Sequence, residues 1–211
     1  MRKFITFEGV EGCGKSTQIK LIADALRIEG RDVLATEEPG GSDIGKELRR
    51  LLLNRSQIKI SSEAELLLFM ADRAQHVREM ILPALDENRI VLCDRFSDAT
   101  IAYQGFGRGM DLKEIENLNR FACADLKPDL TFLFDISVEE GIARAMKRMA
   151  NAELSKREDR FESEEINFHE RVRKGYLKLA QNEAARFRIV DGSKGIEEVH
   201  AAVWAEINKI I

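Results

Sequence analysis

The chain has 211 residues, 44% hydrophobic and 33% charged, with a formal net charge of −4. That length suits one domain with its own core, and the charge provides no global field for nucleic acid or an anionic membrane surface. No apolar run approaches a membrane span, and the run after the basic Met1-Arg2-Lys3 stops at Glu8, too short for a signal-peptide core.

Taken in chain order, apolar runs alternate with helical periodicity. The predicted strands are Lys3–Phe7, Asp32–Thr36, Ile90–Asp94, Leu130–Asp135 and Arg188–Asp191. The predicted helices are Lys15–Glu29, Ile44–Leu53, Glu63–Asn88, Leu112–Ala124, Val138–Met149, Ile166–Asn182 and Ile196–Ile211. Strands rich in Val, Ile, Leu and Phe without alternation suit a parallel sheet buried on both faces, joined by right-handed crossovers. Ligands on such sheets sit beyond the carboxyl ends of the strands. The loops Gly9–Ser16, Glu37–Gly41, Arg95–Gly109 and the chain from Ile136 onward are therefore expected to meet on one edge. Cys13, Cys93 and Cys123 are odd in number and lack metal or redox spacing, which fits a reducing, cytoplasmic setting.

Gly9 opens the pattern G-x-x-x-x-G-K-S, which ends at Ser16 and lies between a predicted strand and a predicted helix. That is the setting of a phosphate-binding loop, whose backbone N–H groups and helix N-terminus face phosphate oxygens. Lys15 is placed to reach the β- and γ-phosphates and Ser16 to give its hydroxyl to Mg²⁺. Ile90–Asp94 reads as a buried strand whose terminal acid, Asp94, holds Mg²⁺ or its water shell. No Asn-Lys-x-Asp or Leu-Ser-Gly-Gly-Gln stretch occurs, so guanine-reading GTPases and transport ATPases are unsupported. Ala150–Phe161, polar and rich in charge, reads equally as a solvated helix extension or as a lid. None of the three histidines has metal-ligand spacing. A kinase for another nucleotide or a nucleoside, and a slow nucleotide-dependent switch, remain as alternative readings at this point.

Several motifs then occur in one order. They run from Glu8-Gly9-Val10-Glu11-Gly12-Cys13-Gly14-Lys15-Ser16-Thr17 through Glu38-Pro39-Gly40-Gly41 to Leu67-Leu68-Phe69-Met70-Ala71-Asp72-Arg73. Asp94-Arg95-Phe96, Ala102-Tyr103-Gln104-Gly105-Phe106-Gly107-Arg108-Gly109 and Asp159-Arg160-Phe161-Glu162 follow. In these motifs the chain resembles the bacterial thymidylate kinases over essentially its whole length. The resemblance implies an α/β fold: a P-loop NTPase three-layer sandwich with a five-stranded parallel sheet flanked by helices. It also implies one domain over residues 1–211 with a short lid at about 144–162. The implied activity is phosphorylation of dTMP to dTDP with ATP and Mg²⁺, a step toward dTTP for DNA synthesis, in a homodimer that engages neither nucleic acid nor membrane.

The resemblance also assigns residues. ATP would bind the loop Gly9, Val10, Glu11, Gly12, Cys13, Gly14, Lys15, Ser16 and Thr17, with Arg144 and Asp191 beyond it. Phe69 would stack on thymine, Arg73 would donate to its O4, and Thr100 and Gln104 would complete the polar contacts to the base. Tyr103 would crowd the sugar 2′ position. Arg95 and Arg49 would hold the acceptor phosphate in a pocket shaped by Glu38 and Pro39, whose peptide bond is cis or trans. Glu11 would sit near the acceptor sugar and, with Ser16 and Asp94, near Mg²⁺. Lys15, Arg95 and the lid arginines Arg148 and Arg157 would carry catalysis. Glu37, Phe96 and Ala99 depart from the family pattern, in which Arg, Tyr or His, and Ser are usual.

Overall fold

Three uninterrupted apolar runs form the middle of the sheet and two shorter ones form its edges. The strands are β1 (Lys3–Glu8), β2 (Val33–Glu37), β3 (Ile90–Asp94), β4 (Leu130–Asp135) and β5 (Phe187–Asp191). All pairings are parallel, in the order β2-β3-β1-β4-β5. β1, β3 and β4 are buried on both faces, whereas β2 and β5 expose alternate residues, as edge strands do. The computed structural model describes residues 2–54, 59–150, 160–161 and 164–211.

Helices flank the sheet: α1 (Lys15–Ile28), α2 (Asp43–Leu53), α3 (Ser62–His76), α4 (Leu82–Asp86), α5 (Ser97–Thr100), α6 (Leu112–Cys123), α7 (Val138–Ala150), α8 (Ile166–Asn182) and α9 (Ile196–Ile207). The main core joins Ile5 and Phe7 of β1 and Phe132 of β4 to Ile22 and Leu26 of α1, Val172 and Tyr176 of α8, and Val203 of α9. The predicted helix Glu63–Asn88 is α3 and α4 joined by a π-helical segment, Val77–Ile81. Pro83 opens α4 and lacks the N–H an unbroken α-helix would pair there, which accounts for the widened turn before it. The predicted loop Arg95–Gly109 is instead largely helical: α5 runs into a second π-helical segment, Ile101–Gly107.

Register fixes where the site forms. Phe7 and Glu37 both pair with Asp94. The Arg95 N–H donates to Phe7 O at 3.0 Å, and the Glu38 N–H donates to Asp94 O at 2.9 Å. The carboxyl ends of β1, β2 and β3 are thus level, and the segments after them face one another. Asp94 and the phosphate loop stand at the centre of that edge.

Candidate active site

A cavity of about 450 Å³ opens at this edge. Its wall includes Glu11, Lys15 and Ser16 after β1, Glu37, Glu38 and Pro39 after β2, and Asp94, Arg95, Thr100, Tyr103 and Gln104 from β3 onward. Arg49, Phe69, Arg73 and Arg148 enter from α2, α3 and α7. Three of the four segments expected to meet here therefore do so directly, and the fourth contributes through Arg148.

The loop around α1's N-terminus is tightly built. Gly12 has φ +70°, and a Cβ there would lie 2.1 Å from Gly141 O on α7, so only glycine lets α7 approach. The Lys15 ammonium is folded into the loop, donating to Gly9 O (3.0 Å), Val10 O (3.1 Å) and Cys13 Sγ (3.3 Å). The Ser16 hydroxyl donates to Asp94 Oδ2 at 2.6 Å. A hydroxyl and a carboxylate, both hard oxygen donors beside a phosphate loop, fit Mg²⁺, which retains several waters and takes few protein ligands. On the far side of the loop, Arg144 donates to Gly192 O (2.7 Å) and Ser193 O (3.3 Å) and pairs with Glu140. Gly192 itself packs against Cys13 O. Asp191 does not line the cavity and accepts from the Ser193 N–H and hydroxyl. Thr17 is exposed on α1, and Arg157, with most of the expected lid, lies outside the described residues.

Glu11 is a hub. Its Oε1 accepts from Tyr103 Oη and from Arg95 Nη2 at 3.3 Å, while His169 Nδ1 stands 3.3 Å from Oε2. Burial pushes this carboxyl up, but the His169 contact, the Arg95 charge and the Tyr103 bond outweigh it and hold it near 2. Arg95 occupies a left-handed conformation (φ 66°) that aims its side chain over the Tyr103 ring, 4.8 Å from the centroid. Its Nη1 donates to Tyr176 Oη at 3.2 Å, and that hydroxyl donates to Glu8 Oε2 at 2.8 Å. Glu8 also accepts from the Phe96 N–H at 2.7 Å. Burial, then the Asp98 charge, raises Glu8 to about 8 against the opposing pull of Arg95 and its two donors.

The other wall is organised by Arg73, whose residue is only 2% exposed. Nε donates to Glu38 Oε2 (2.7 Å), Nη1 to Thr100 Oγ1 (2.9 Å) and Asn119 Oδ1 (2.8 Å), and Nη2 to Phe96 O (3.0 Å). Four of the guanidinium's five N–H groups are accounted for by these bonds, leaving one for a ligand. Glu38, joined to Pro39 by a cis peptide bond, also meets His76 Nδ1 at 2.8 Å, and His76 Nε2 meets Thr36 Oγ1 at 2.7 Å. His76 is therefore a packed bridge. Arg49 donates to Pro39 O (2.6 Å) and pairs with Glu37 (3.0 Å). Glu37, where the family pattern has Arg, thus meets an arginine from α2.

Phe69 is half-buried at the rim, facing Phe161 at 6.3 Å. Phe161 also packs edge-on against Tyr103 at 5.5 Å and lines the cavity. Sequence reasoning assigned no role to Phe161, His169, Tyr176, Asn119 or Glu65. A ring directly after Arg160 was the one available signal, since the others reach the site only through the fold.

A parallel sheet with a glycine loop and lysine after its central strand, facing a second, arginine-rich wall, defines a P-loop protein built to bring nucleotide phosphates against another ligand. The family profile described as Thymidylate kinase matches residues 7–203. A thymidylate kinase of Syntrophus aciditrophicus (strain SB) is 54% identical over 99% of this chain and 95% of its own length. One from Geotalea daltonii is 54% identical over 97% of this chain and 95% of its own. The crystal structure of thymidylate kinase from Ehrlichia chaffeensis superposes with a TM-score of 0.78 at 34% identity, covering 98% of each chain. The chain belongs to the thymidylate kinase family, whose reaction is the ATP-dependent phosphorylation of dTMP to dTDP.

Proposed function

We propose that this chain carries out that reaction as a single domain over residues 1–211, with the phosphate loop holding ATP and the opposite wall holding dTMP. The supporting observation is that Lys15, Ser16, Arg95, Tyr103, Arg73 and Phe69 line one cavity. Gly9, Val10, Gly12, Cys13, Gly14 and Thr17 form or flank the ATP loop, and Arg144, with the turn after Asp191, borders the adenine. The Lys15 ammonium exchanges its carbonyl partners for phosphate oxygens when ATP enters. Ser16 and Asp94, with Glu11 nearby, would hold Mg²⁺, which would supply charge neutralisation to the phosphates when bound.

In the acceptor site Phe69 stacks on thymine and the remaining Arg73 N–H donates to O4. Gln104 faces N3, and Thr100 supports both. Tyr103, held against Glu11, fills the space a 2′-hydroxyl would need. Arg95, with Arg49 at the Glu38-Pro39 turn, fixes the acceptor phosphate in line with the γ-phosphorus. An acceptor-phosphate oxygen forms the new P–O bond as the bond to the β-phosphate oxygen breaks. Arg148, which lines the cavity, joins Lys15 in neutralising the transferring group.

The three cysteines are free and buried, which supports a reducing cytoplasm. No helix among the described residues is long and apolar enough to cross a membrane. The exposed apolar side chains Leu67 on α3 and Phe121 on α6 support a homodimer; light scattering that returned a monomer at micromolar concentration would remove this element. The residue assignment is tested by Arg95→Ala. The expected result is dTMP-dependent ADP formation reduced by about 10³ with ATP-analogue affinity retained. A loss under tenfold would remove Arg95 from the transfer step.

A further inference from the structure

Glu65 lies in the first turn of α3 and is 1% exposed. Three side chains from two other parts of the chain converge on it. Gln104 Nε2 donates to Oε1 at 2.8 Å. Arg108 donates through Nε to Oε1 (3.3 Å) and through Nη2 to Oε2 (3.2 Å). Arg160 Nη2 donates to Oε2. Arg160 is tied as well to the end of α2, by Nη1 to Leu52 O (2.9 Å) and by its backbone N–H to Leu53 O (3.2 Å). Arg108 reaches on to Glu164 at 2.7 Å. Phe161, next to Arg160, is thereby seated on Tyr103 at the cavity wall.

A carboxylate between two guanidinium groups is an acceptor only, whereas a glutamine amide carries an acceptor at one end and donors at the other. The Gln104 amide must therefore present its nitrogen to Glu65. Its carbonyl oxygen is left as the end that faces a base. We infer that Glu65 is a specificity-setting positioning residue: it fixes the flip of the Gln104 amide so that the cavity presents an acceptor to N3, and it anchors Arg160 and Phe161 over the same base. This rests on the proposed dTMP site. Thymine and uracil carry an N3–H that satisfies such an acceptor. Cytosine presents a lone pair at N3 and an amino group at C4, opposing both Gln104 Oε1 and the Arg73 N–H. Selection for a 4-oxo pyrimidine thus depends on a carboxylate that touches no ligand.

The test is Glu65→Gln, whose own amide accepts either orientation of Gln104. Dissociation constants for dTMP and dCMP are measured by titration beside wild-type dTMP turnover. The expected result is dTMP binding weakened by about three- to tenfold, the worth of one hydrogen bond between neutral groups. The dCMP constant should change less, so the dCMP-to-dTMP ratio narrows, and Glu65→Asp should restore it. An equal weakening of both ligands would mark Glu65 as merely structural and overturn the inference. Should Glu65→Gln not fold, imino-proton NMR of the wild-type dTMP complex carries the test. A thymine N3–H protected from exchange, and unprotected in Gln104→Leu, is expected; an N3–H exchanging as in free dTMP overturns it. If wild type shows no dTMP turnover, the proposed function fails first, and separately.

Discussion

Arg73 and Glu38 form a buried ion pair, each side chain 2% exposed, on the wall that would read the base. Arg73→Met removes the cation and leaves Glu38 with His76 as its remaining partner at 2.8 Å. Breaking one side of such a pair costs about 3–5 kcal/mol. Thr100, Asn119 and Phe96 O lose donors too; Thr100 lines the cavity, where water can replace its donor, and the lower end of that range, about 3 kcal/mol, is taken as the minimum expected. For a chain of this size about 3 kcal/mol corresponds to a melting temperature lower by roughly 6–12 °C. Glu38→Gln strands the arginine instead. The double substitution removes both charges, so its cost should fall below the sum of the singles by at least about 1 kcal/mol, a coupling expected of residues in contact. Urea unfolding of the four proteins gives the cycle, and titration with dTMP and an ATP analogue gives the functional arm. All three variants should weaken dTMP binding and leave ATP-analogue affinity within about twofold, since the phosphate loop does not touch the pair. Additivity within about 0.5 kcal/mol, or equal loss of both ligands, would refute the reasoning.

Two further predictions follow from the loop and the strand end. Glu8 is raised from 4.5 to about 8, so the folded chain holds a proton that the unfolded chain releases. That stabilisation is complete below about pH 4.5 and is lost as pH rises toward 8, with a slope of at most about 1.4 kcal/mol per pH unit. Asp72, raised to about 6 chiefly by burial and the Glu38 charge, acts in the same direction over a lower window. Unfolding midpoints between pH 6.5 and 8.5 should therefore fall in wild type and flatten in Glu8→Gln; parallel curves would show that Glu8 is ionised in the fold. At Gly141 an added Cβ would lie 2.6 Å from Glu11 O. Gly141→Ala should displace the phosphate loop and weaken ATP-analogue binding about 5- to 150-fold, the range of a 1–3 kcal/mol overpacking cost. Affinity within twofold of wild type would show that α7 yields instead.

The sheet was legible because its signals are local. β3 and β4 carry apolar runs whose limits agree with prediction to the residue, and the glycine loop is a contiguous pattern whose last two residues, Lys15 and Ser16, already belong to α1. The segment after Arg95 was misread for a physical reason. Gly105, Gly107 and Gly109 within five residues resemble a flexible loop. Yet a Cβ on Gly107 would fall 2.7 Å from Phe168 and 2.9 Å from Val172, so that glycine admits α8 rather than freeing the backbone. Tertiary packing overrides propensity there. In the site, Lys15, Ser16, Asp94 and Arg95 were readable from motifs. Glu65 was not, because an acid in the first turn of a helix reads as a favourable end charge, and its partners lie 39 to 95 residues away. His169 gave no metal-ligand spacing and no other local signal, because its approach to Glu11 joins α8 to the phosphate loop across the fold.

The proposed function stands on one cavity joining an ATP loop to a pocket for a thymine deoxynucleotide. It is tested most directly by ADP release from ATP and Mg²⁺ with dTMP, dUMP, ribothymidine 5′-monophosphate, dCMP, AMP, thymidine or no acceptor. Strong stimulation by dTMP is expected, weaker stimulation by dUMP and the ribonucleotide, and none by thymidine, which offers Arg95 no phosphate. ATP binding without stimulation by any acceptor, or stimulation by thymidine equal to that by dTMP, would contradict it.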